Sequence, residues 1–239
     1  MENLKSKTSS DFEKRIMEPM GRRKFFFFGA AALSTAALVA GCKKDDDDTP
    51  ATPNPSDGVN LGSGDPGILN YAYALEQLEA AFYLQVAATP YSGITNAELM
   101  ILNDIRDHEV AHRDFFKAAL GAGAIQDLEV NFSTIDFSSR ASVLGTAKVF
   151  EDLGVSAYNG AGKLLVSPDY LLLAGKIVSV EARHASVIRD LLNPNSTDFA
   201  GDDTINSNGL DGAKMPSEVL AAAGPFIKTK INASNLPTS

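Results

Sequence analysis

Apolar residues recur at spacings of three and four along four segments of the chain, which predicts four amphipathic helices. Between residues 66 and 192 no segment shows the sustained alternation of apolar and polar residues that is typical of a strand. These helices are long, since a globular helix averages roughly 11 to 12 residues. Long helices of matched length indicate a bundle. The predicted helices cover residues 66–88, 96–120, 138–166 and 168–192.

Local signals mark the ends of these helices. Asp65 before Pro66 is the predicted cap of the first helix, and Ser167 that of the fourth. Gly121 stops the second helix. A short additional helix is predicted at residues 215–223, where Gly224 and Pro225 end it.

The lengths of the connections predict how the helices pair. About seven residues join the first two helices and almost none join the last two, so each pair should form an antiparallel hairpin. About 17 residues, 121–137, separate the hairpins. Two hairpins joined by a long crossover differ from a bundle with short loops throughout.

Carboxylates and histidines interrupt two of the apolar stripes. The second helix carries Glu109 and His112 on its apolar face, and the fourth carries Glu181 and His184. Residues three apart on a helix lie on one face and reach a common point. A charged glutamate on an apolar face is costly to bury unless it is paired or binds a metal.

The first and third helices repeat a second pattern. Glu76 precedes Tyr83 by seven residues, and Glu151 precedes Tyr158 by seven. The two halves of the chain therefore echo each other and predict two pseudo-equivalent hairpins that face one site. Glu79 lies one turn beyond Glu76 and is an alternative candidate.

One Glu from each of two helices and a Glu-x-x-His from each of two others form the ligand set of di-iron and di-manganese bundles. Four carboxylates balance the charge of two divalent cations. Oxygen and imidazole ligands suit iron or manganese, whereas zinc or copper favours thiolates. The predicted folded part contains no cysteine that could supply a thiolate.

The segment 71–83, YAYALEQLEAAFY, is similar to the first-helix motif of the bacterial ferritin-like domain branch of the ferritin-like superfamily. The resemblance implies an all-α ferritin-like four-helix bundle over residues 66–193, followed by a loop-rich C-terminal extension over residues 194–239. In ferritins, bacterioferritins and rubrerythrins the first-helix ligand precedes a tyrosine by seven residues, which favours Glu76 over Glu79. The resemblance implies two metal ions, iron or manganese, held by Glu76, Glu109, His112, Glu151, Glu181 and His184.

Other interpretations of these residues stay open. The Glu and His residues could form a buried hydrogen-bonded network, or ion pairs with Arg106 and Arg183. Asp152 beside Glu151 could indicate a solvated patch. Tyr83 and Tyr158 could be core residues, or could donate hydrogen bonds to the ligand carboxylates from outside the metal shell. His108 is predicted to face solvent or a neighbouring helix.

The N-terminus has the pattern of an export signal over residues 1–41. Arg22, Arg23 and Lys24 precede an apolar run at residues 25–40 that ends in small residues. The two arginines resemble a twin-arginine signal, although Gly21 stands where Ser or Thr is usual. Export from the cytoplasm is the resulting expectation.

Cys42 is predicted to carry a lipid anchor. It follows Val39-Ala40-Gly41, which resembles the lipobox of bacterial lipoproteins, and it is the only cysteine, so an internal disulfide is excluded. Residues 42–65 are rich in Asp, Pro, Thr, Asn and Gly and are predicted to be a disordered tether. The mature chain would be anchored in the cell envelope, on the periplasmic face or at the cell surface.

The charge of the mature chain excludes one class of partner. Residues 1–41 hold seven Lys or Arg and four Asp or Glu, which leaves 14 basic and 26 acidic residues and a net charge of about −12. Such a charge argues against nucleic acid as a partner.

Three functions are consistent with these patterns. The first is a protein with a two-metal site, with iron as the expected metal, that oxidises Fe(II) or reduces O2 or peroxide. The second is a non-catalytic structural or binding lipoprotein with the same bundle. The third is a manganese catalase-like enzyme. The patterns do not determine the oligomeric state.

Overall fold

The structure is a computed structural model, and it describes residues 58–239. Four long helices form its centre. The first two pack along each other, as do the last two, and the hairpins meet mainly between the first and third helices. The predicted all-α four-helix bundle is confirmed. The helices are α1 (Gly64–Ala88), α2 (Asn96–Leu120), α3 (Arg140–Gly162) and α4 (Pro168–Leu192).

Three of the predicted helices match the observed bounds to within two residues, and α3 is shorter than predicted at both ends. A reciprocal cap begins α2: the Thr95 hydroxyl accepts from the Glu98 backbone N–H, and the Glu98 carboxylate accepts from the Thr95 N–H. Ser167 caps α4, as predicted. Gly121 follows α2 with a φ of 54°, a backbone conformation that favours glycine.

The predicted role of Asp65 as the cap of α1 is wrong. Ser63 occupies the N-cap position without a side-chain hydrogen bond, and Asp65 lies within the first turn. Its carboxylate instead accepts hydrogen bonds from the backbone N–H groups of Val166 (2.7 Å) and Ser167 (2.8 Å). Asp65 therefore ties the start of α1 to the start of α4 and links the two hairpins.

The predicted disordered tether extends too far toward the bundle. A short strand, β1 (Val59–Asn60), pairs in parallel with β2 (Ile231–Asn232) near the C-terminus. The Val59 N–H donates to the Lys230 carbonyl at 2.8 Å, and Leu61 is completely buried. Burial of Leu61 and pairing of the backbone hold this segment against the C-terminal extension.

The C-terminal extension and the crossover cover α1 and α3, which are more deeply buried than α2 and α4. The Asn70 side chain of α1 accepts from the Ile125 N–H in the crossover at 2.9 Å. In the extension, which includes the predicted short helix α5 (Pro216–Ala223), the Lys214 N–H donates to the Ser156 carbonyl of α3 at 2.9 Å. Gly160 permits this approach, because a Cβ there would lie 1.8 Å from the Lys214 oxygen.

Arg189 joins α4 to α3 and to the extension. It is only 3% exposed, and its guanidinium donates to both carboxylate oxygens of Asp152 (2.8 and 2.7 Å) and of Asp203 (2.9 Å each). Asp152, which the sequence left open as part of a solvated patch, is thus a partner of a buried cation, as is Asp203.

The export signal, Cys42 and most of the tether lie in residues 1–57, outside the described part of the chain. Of the helices between residues 58 and 239, none is both long enough and apolar enough to cross a membrane.

Candidate metal centre

Each of the four long helices contributes a carboxylate to one buried cluster in the bundle. Their burial is complete, with an exposed fraction of 0% for all four glutamates. The Glu-x-x-His spacing on α2 and α4 turns each imidazole toward the same interior. The structure brings together all six residues singled out in the sequence: Glu76 on α1, Glu109 and His112 on α2, Glu151 on α3, and Glu181 and His184 on α4.

The cluster divides into two groups of four residues, each with one ligand atom per residue and all such atoms within 4.8 Å of one another. Glu109 and Glu181 belong to both groups. Glu76 and His112 complete the first group, which we call site A, and Glu151 and His184 complete the second, which we call site B. The geometry is therefore that of two adjacent cation positions sharing two carboxylates.

The imidazoles direct their Nδ1 atoms into these groups. In site A, His112 Nδ1 lies 2.9 Å from Glu181 Oε1 and 3.5 Å from Glu76 Oε2. In site B, His184 Nδ1 lies 2.7 Å from Glu109 Oε1 and 3.5 Å from Glu151 Oε2.

These close approaches are charge contacts, and none of them has the geometry of a hydrogen bond. Unpaired polar atoms in a protein interior are rare, because each one costs free energy. Here eight of them converge on two points, which is the arrangement expected where cations bind between them. The unpaired atoms are Glu76 Oε2, both oxygens of Glu109, Glu151 Oε2, both oxygens of Glu181, and Nδ1 of His112 and of His184.

Two tyrosines hydrogen-bond to the outer carboxylates across the hairpins. The Tyr83 hydroxyl of α1 donates to Glu151 Oε1 on α3, and the Tyr158 hydroxyl of α3 donates to Glu76 Oε1 on α1. In each carboxylate the other oxygen is the unpaired one. The tyrosines thus orient one oxygen outward and leave its partner facing the centre of the cluster.

Glu79 is a fifth buried carboxyl that belongs to neither group. Its Oε1 lies 3.0 Å from the position that a Cβ would occupy on Gly154, and Glu181 Oε2 lies 3.5 Å from the same point. The side chain thus occupies space that the missing side chain of Gly154 leaves open. Of the two first-helix candidates, Glu76 is the one that the geometry groups with the other ligand atoms.

In the absence of metal, protons balance the charge of the cluster. Burial opposes ionisation of Glu109, but contact with His112 and His184 outweighs burial and lowers its pKa to about 2. Burial also disfavours the imidazolium forms, but the adjacent carboxylates raise the pKa of His184 to about 10 and raise that of His112 as well. Both imidazoles are therefore protonated near neutral pH.

The other four carboxyls hold protons more tightly than usual. Burial raises the pKa of Glu76 to about 7, although contact with His112 offsets part of this effect. Burial also raises the pKa values of Glu79, Glu151 and Glu181, and neighbouring carboxylates add to the increase. A cation that binds here must displace protons.

One residue of the cluster was not recognised in the sequence. His108 Nδ1 lies 2.9 Å from His184 Nε2, and the two rings are nearly coplanar and meet edge to edge, with a centroid separation of 5.2 Å and an interplanar angle of 10°. The helical period predicted that His108 points away from Glu109, toward solvent or a neighbouring helix, but did not identify His184 as its partner. Its contact depends on where α4 lies beside α2.

Arg106 does not form the ion pair with the glutamates of the cluster that the sequence left open as an alternative. Its guanidinium donates to Asp107 (2.9 Å) and to Asn103 (2.7 Å), both on the same helix. The cluster therefore has no compensation from this cation.

Sequence comparison agrees with the geometry. A family model described as a ferritin-like domain matches residues 64–194, a span that includes all four long helices and every residue of sites A and B. No curated protein matches the chain. With that domain covering more than half of its length, the chain belongs to the ferritin-like domain family.

Proposed function

We propose that this chain is a di-iron protein of the cell envelope that oxidises Fe(II), with O2 or peroxide as the electron acceptor. The convergence of eight unpaired buried atoms on two adjacent points supports this proposal most strongly. Glu76 and His112 would hold one ion, Glu151 and His184 the other, and Glu109 and Glu181 both. Carboxylate and imidazole ligands favour iron or manganese over softer metals.

Bound iron would supply the electron transfer, since oxidation of two Fe(II) would provide the two electrons that, with two protons, reduce one H2O2 to two waters. The chain contributes groups that can hold protons next to this reaction. Glu79 lies beside the cluster, where burial and the neighbouring carboxylates raise the pKa of its carboxyl well above the usual range. Tyr83 and Tyr158 hold the outer carboxylates in place through their hydroxyl groups.

The surroundings of the cluster suit a small uncharged oxidant. A cavity of about 20 Å³ lies beside Tyr158, and its lining is apolar. Leu75 and Phe116 are among its lining residues. Molecular oxygen is apolar and would enter such a cavity without the desolvation cost that a charged substrate would meet.

The envelope location is supported by the sequence of the N-terminus alone. The paired arginines and the lipobox-like segment before Cys42 would direct export and lipidation. Replacing Cys42 with serine should then release the protein from the membrane fraction of its host. Membrane retention of C42S would contradict lipid anchoring at this residue.

Metal analysis tests the proposed centre. Protein purified from its host should contain about two iron or manganese ions per chain, and Glu151→Ala should remove most of that metal, because it deletes a site B ligand. Glu76→Gln should also lose metal, whereas the matched change Glu79→Gln should retain it, since Glu79 is in neither group. Metal content unaffected by Glu151→Ala would refute the assignment.

Oxygen measurements then separate the candidate functions. The di-iron proposal predicts that the wild type oxidises added Fe(II) with consumption of O2 or of added peroxide, and that Glu151→Ala loses this activity. Rapid O2 evolution from peroxide would instead indicate a manganese catalase-like enzyme. A protein that holds little metal and consumes no O2 would be a structural or binding lipoprotein.

A further inference from the structure

His108 contacts only one of the two imidazoles of the cluster, that of His184. His184 directs Nδ1 toward the carboxylates of site B, and its Nε2 lies 2.9 Å from His108 Nδ1. His108 itself is exposed, while His184 is only 4% exposed. The exposed ring therefore contacts the far side of a buried ligand ring.

The direction of this hydrogen bond follows from the chemistry of the ligand. A neutral imidazole that binds a cation through Nδ1 carries its proton on Nε2. His184 Nε2–H is then the donor and His108 Nδ1 the acceptor. Such a hydrogen bond fixes both the tautomer and the orientation of a ligand ring.

His112 lacks an equivalent partner. Among residues 58–239 no hydrogen bond reaches its Nε2, and its side chain is 13% exposed compared with 5% for that of His184. The sequence explains the difference. His108 directly precedes Glu109 on α2, whereas Val180 directly precedes Glu181 on α4 and cannot accept a hydrogen bond.

We propose that His108 is a positioning residue that holds His184 ready to bind a cation, so that site B binds a divalent cation more tightly than site A. This inference rests on the proposed function, because it presupposes that the cluster binds metal. The two metal sites of the pseudo-symmetric bundle therefore differ in affinity, and site B fills before site A. His108, which is not itself a metal ligand, would determine that order.

The test is a calorimetric titration of the metal-free full chain with Mn2+ under anaerobic conditions, because Mn2+ is not oxidised during the measurement. The wild type should show a tighter and a weaker binding step. His108→Val, which copies the valine of the other hairpin, should weaken the tighter step by about 10- to 100-fold and leave the weaker step unchanged. His108→Asn should restore part of the affinity, since its amide oxygen can accept from His184 Nε2–H.

Asp107→Asn serves as the matched control, because Asp107 is the exposed neighbour of His108 and contacts Arg106 rather than the cluster. It should leave both binding steps unchanged. The thermal midpoint of each metal-free variant separates a loss of folding from a loss of affinity. A merely structural role for His108 would lower that midpoint without selecting one binding step.

The outcomes distinguish this inference from the proposed function. A wild type that binds no Mn2+ and no Fe(II) would overturn the proposed function and this inference with it. A wild type that binds two ions, together with a His108→Val variant in which both steps are unchanged or equally weakened, would overturn the positioning role alone. So would a His108→Asn variant as weak as His108→Val.

Discussion

The Tyr83 hydroxyl on one hairpin donates a hydrogen bond to Glu151 on the other. Tyr158 and Glu76 make the same contact in the opposite direction, so each outer carboxylate of the cluster is oriented by the helix that carries the other. The heptad spacing between Glu and Tyr that repeats in the sequence is therefore the basis of a reciprocal pair of contacts. Each hairpin positions a ligand of its partner.

These contacts predict matched effects of two substitutions. Tyr83→Phe should weaken cation binding at site B and Tyr158→Phe at site A, each by about 10- to 100-fold, because the carboxylate loses the donor that orients it. Titration with Mn2+ would measure both effects. Tyr71→Phe is the control, since the Tyr71 hydroxyl on α1 is buried without a hydrogen-bond partner. Unchanged affinity in Tyr83→Phe would show that Glu151 needs no such support.

The stability of the metal-free protein should fall as the pH rises. The pKa of Glu76 is raised to about 7 by burial, so the folded state holds a proton that the unfolded chain releases, and stability decreases between about pH 4.5 and 7. The pKa of His184 is raised to about 10 by neighbouring carboxylates, despite its burial. The stability that this imidazolium contributes is present below about pH 6.5 and is lost as the pH rises to about 10.

Metal should reverse this dependence, because binding requires deprotonated ligands and releases their protons. Thermal unfolding at pH 5.5 and pH 8, in EDTA and in excess Mn2+, would measure it. The midpoint in EDTA should be lower at pH 8 than at pH 5.5 by about 5 °C or more, and Mn2+ should raise the midpoint more at pH 8. A metal-free midpoint that is higher at pH 8 would contradict the charge distribution described for the cluster.

Arg189 should matter for stability but not for metal binding. Arg189→Ala leaves Asp152 and the Asp198 carbonyl without their buried donor, and should cost about 3 kcal/mol of unfolding free energy. Asp203→Asn should cost about 1 kcal/mol or less, since the Asp203 side chain is 59% exposed. Urea unfolding of the metal-free variants would measure both values. Equal losses in the two variants would show that burial of Arg189 is not the cause.

The fold could largely be predicted, because helical periodicity is a local property. The spacing of apolar residues determined where α1, α2 and α4 lie, and the short and long connections indicated the pairing into hairpins. The ends of α3 and the start of the ordered chain were less well predicted. Asp65 and Leu61 both depend on partners more than 100 residues away in the sequence, which no local pattern reveals.

The ligand residues of the candidate site could be predicted because their spacing along each helix is a local property. The contacts between helices could not be predicted, because they depend on tertiary packing. Residues three apart share a helix face, so Glu109 with His112 and Glu181 with His184 could be paired from spacing alone. Whether such a pair meets a partner depends on the rotation and position of the neighbouring helix. His108 illustrates this, because its contact with His184 joins α2 to α4.

By itself, the sequence determined that four amphipathic helices would each bury a carboxylate, because the helical repeat decides which residues share the apolar face. Only the tertiary structure decided how those faces meet: Glu76 and Glu79 are both buried on α1, yet Glu76 lies with His112 while Glu79 lies against Gly154. The physical reason is that a helix determines the angle between its own side chains. The packing of one helix on another determines what each of those side chains touches.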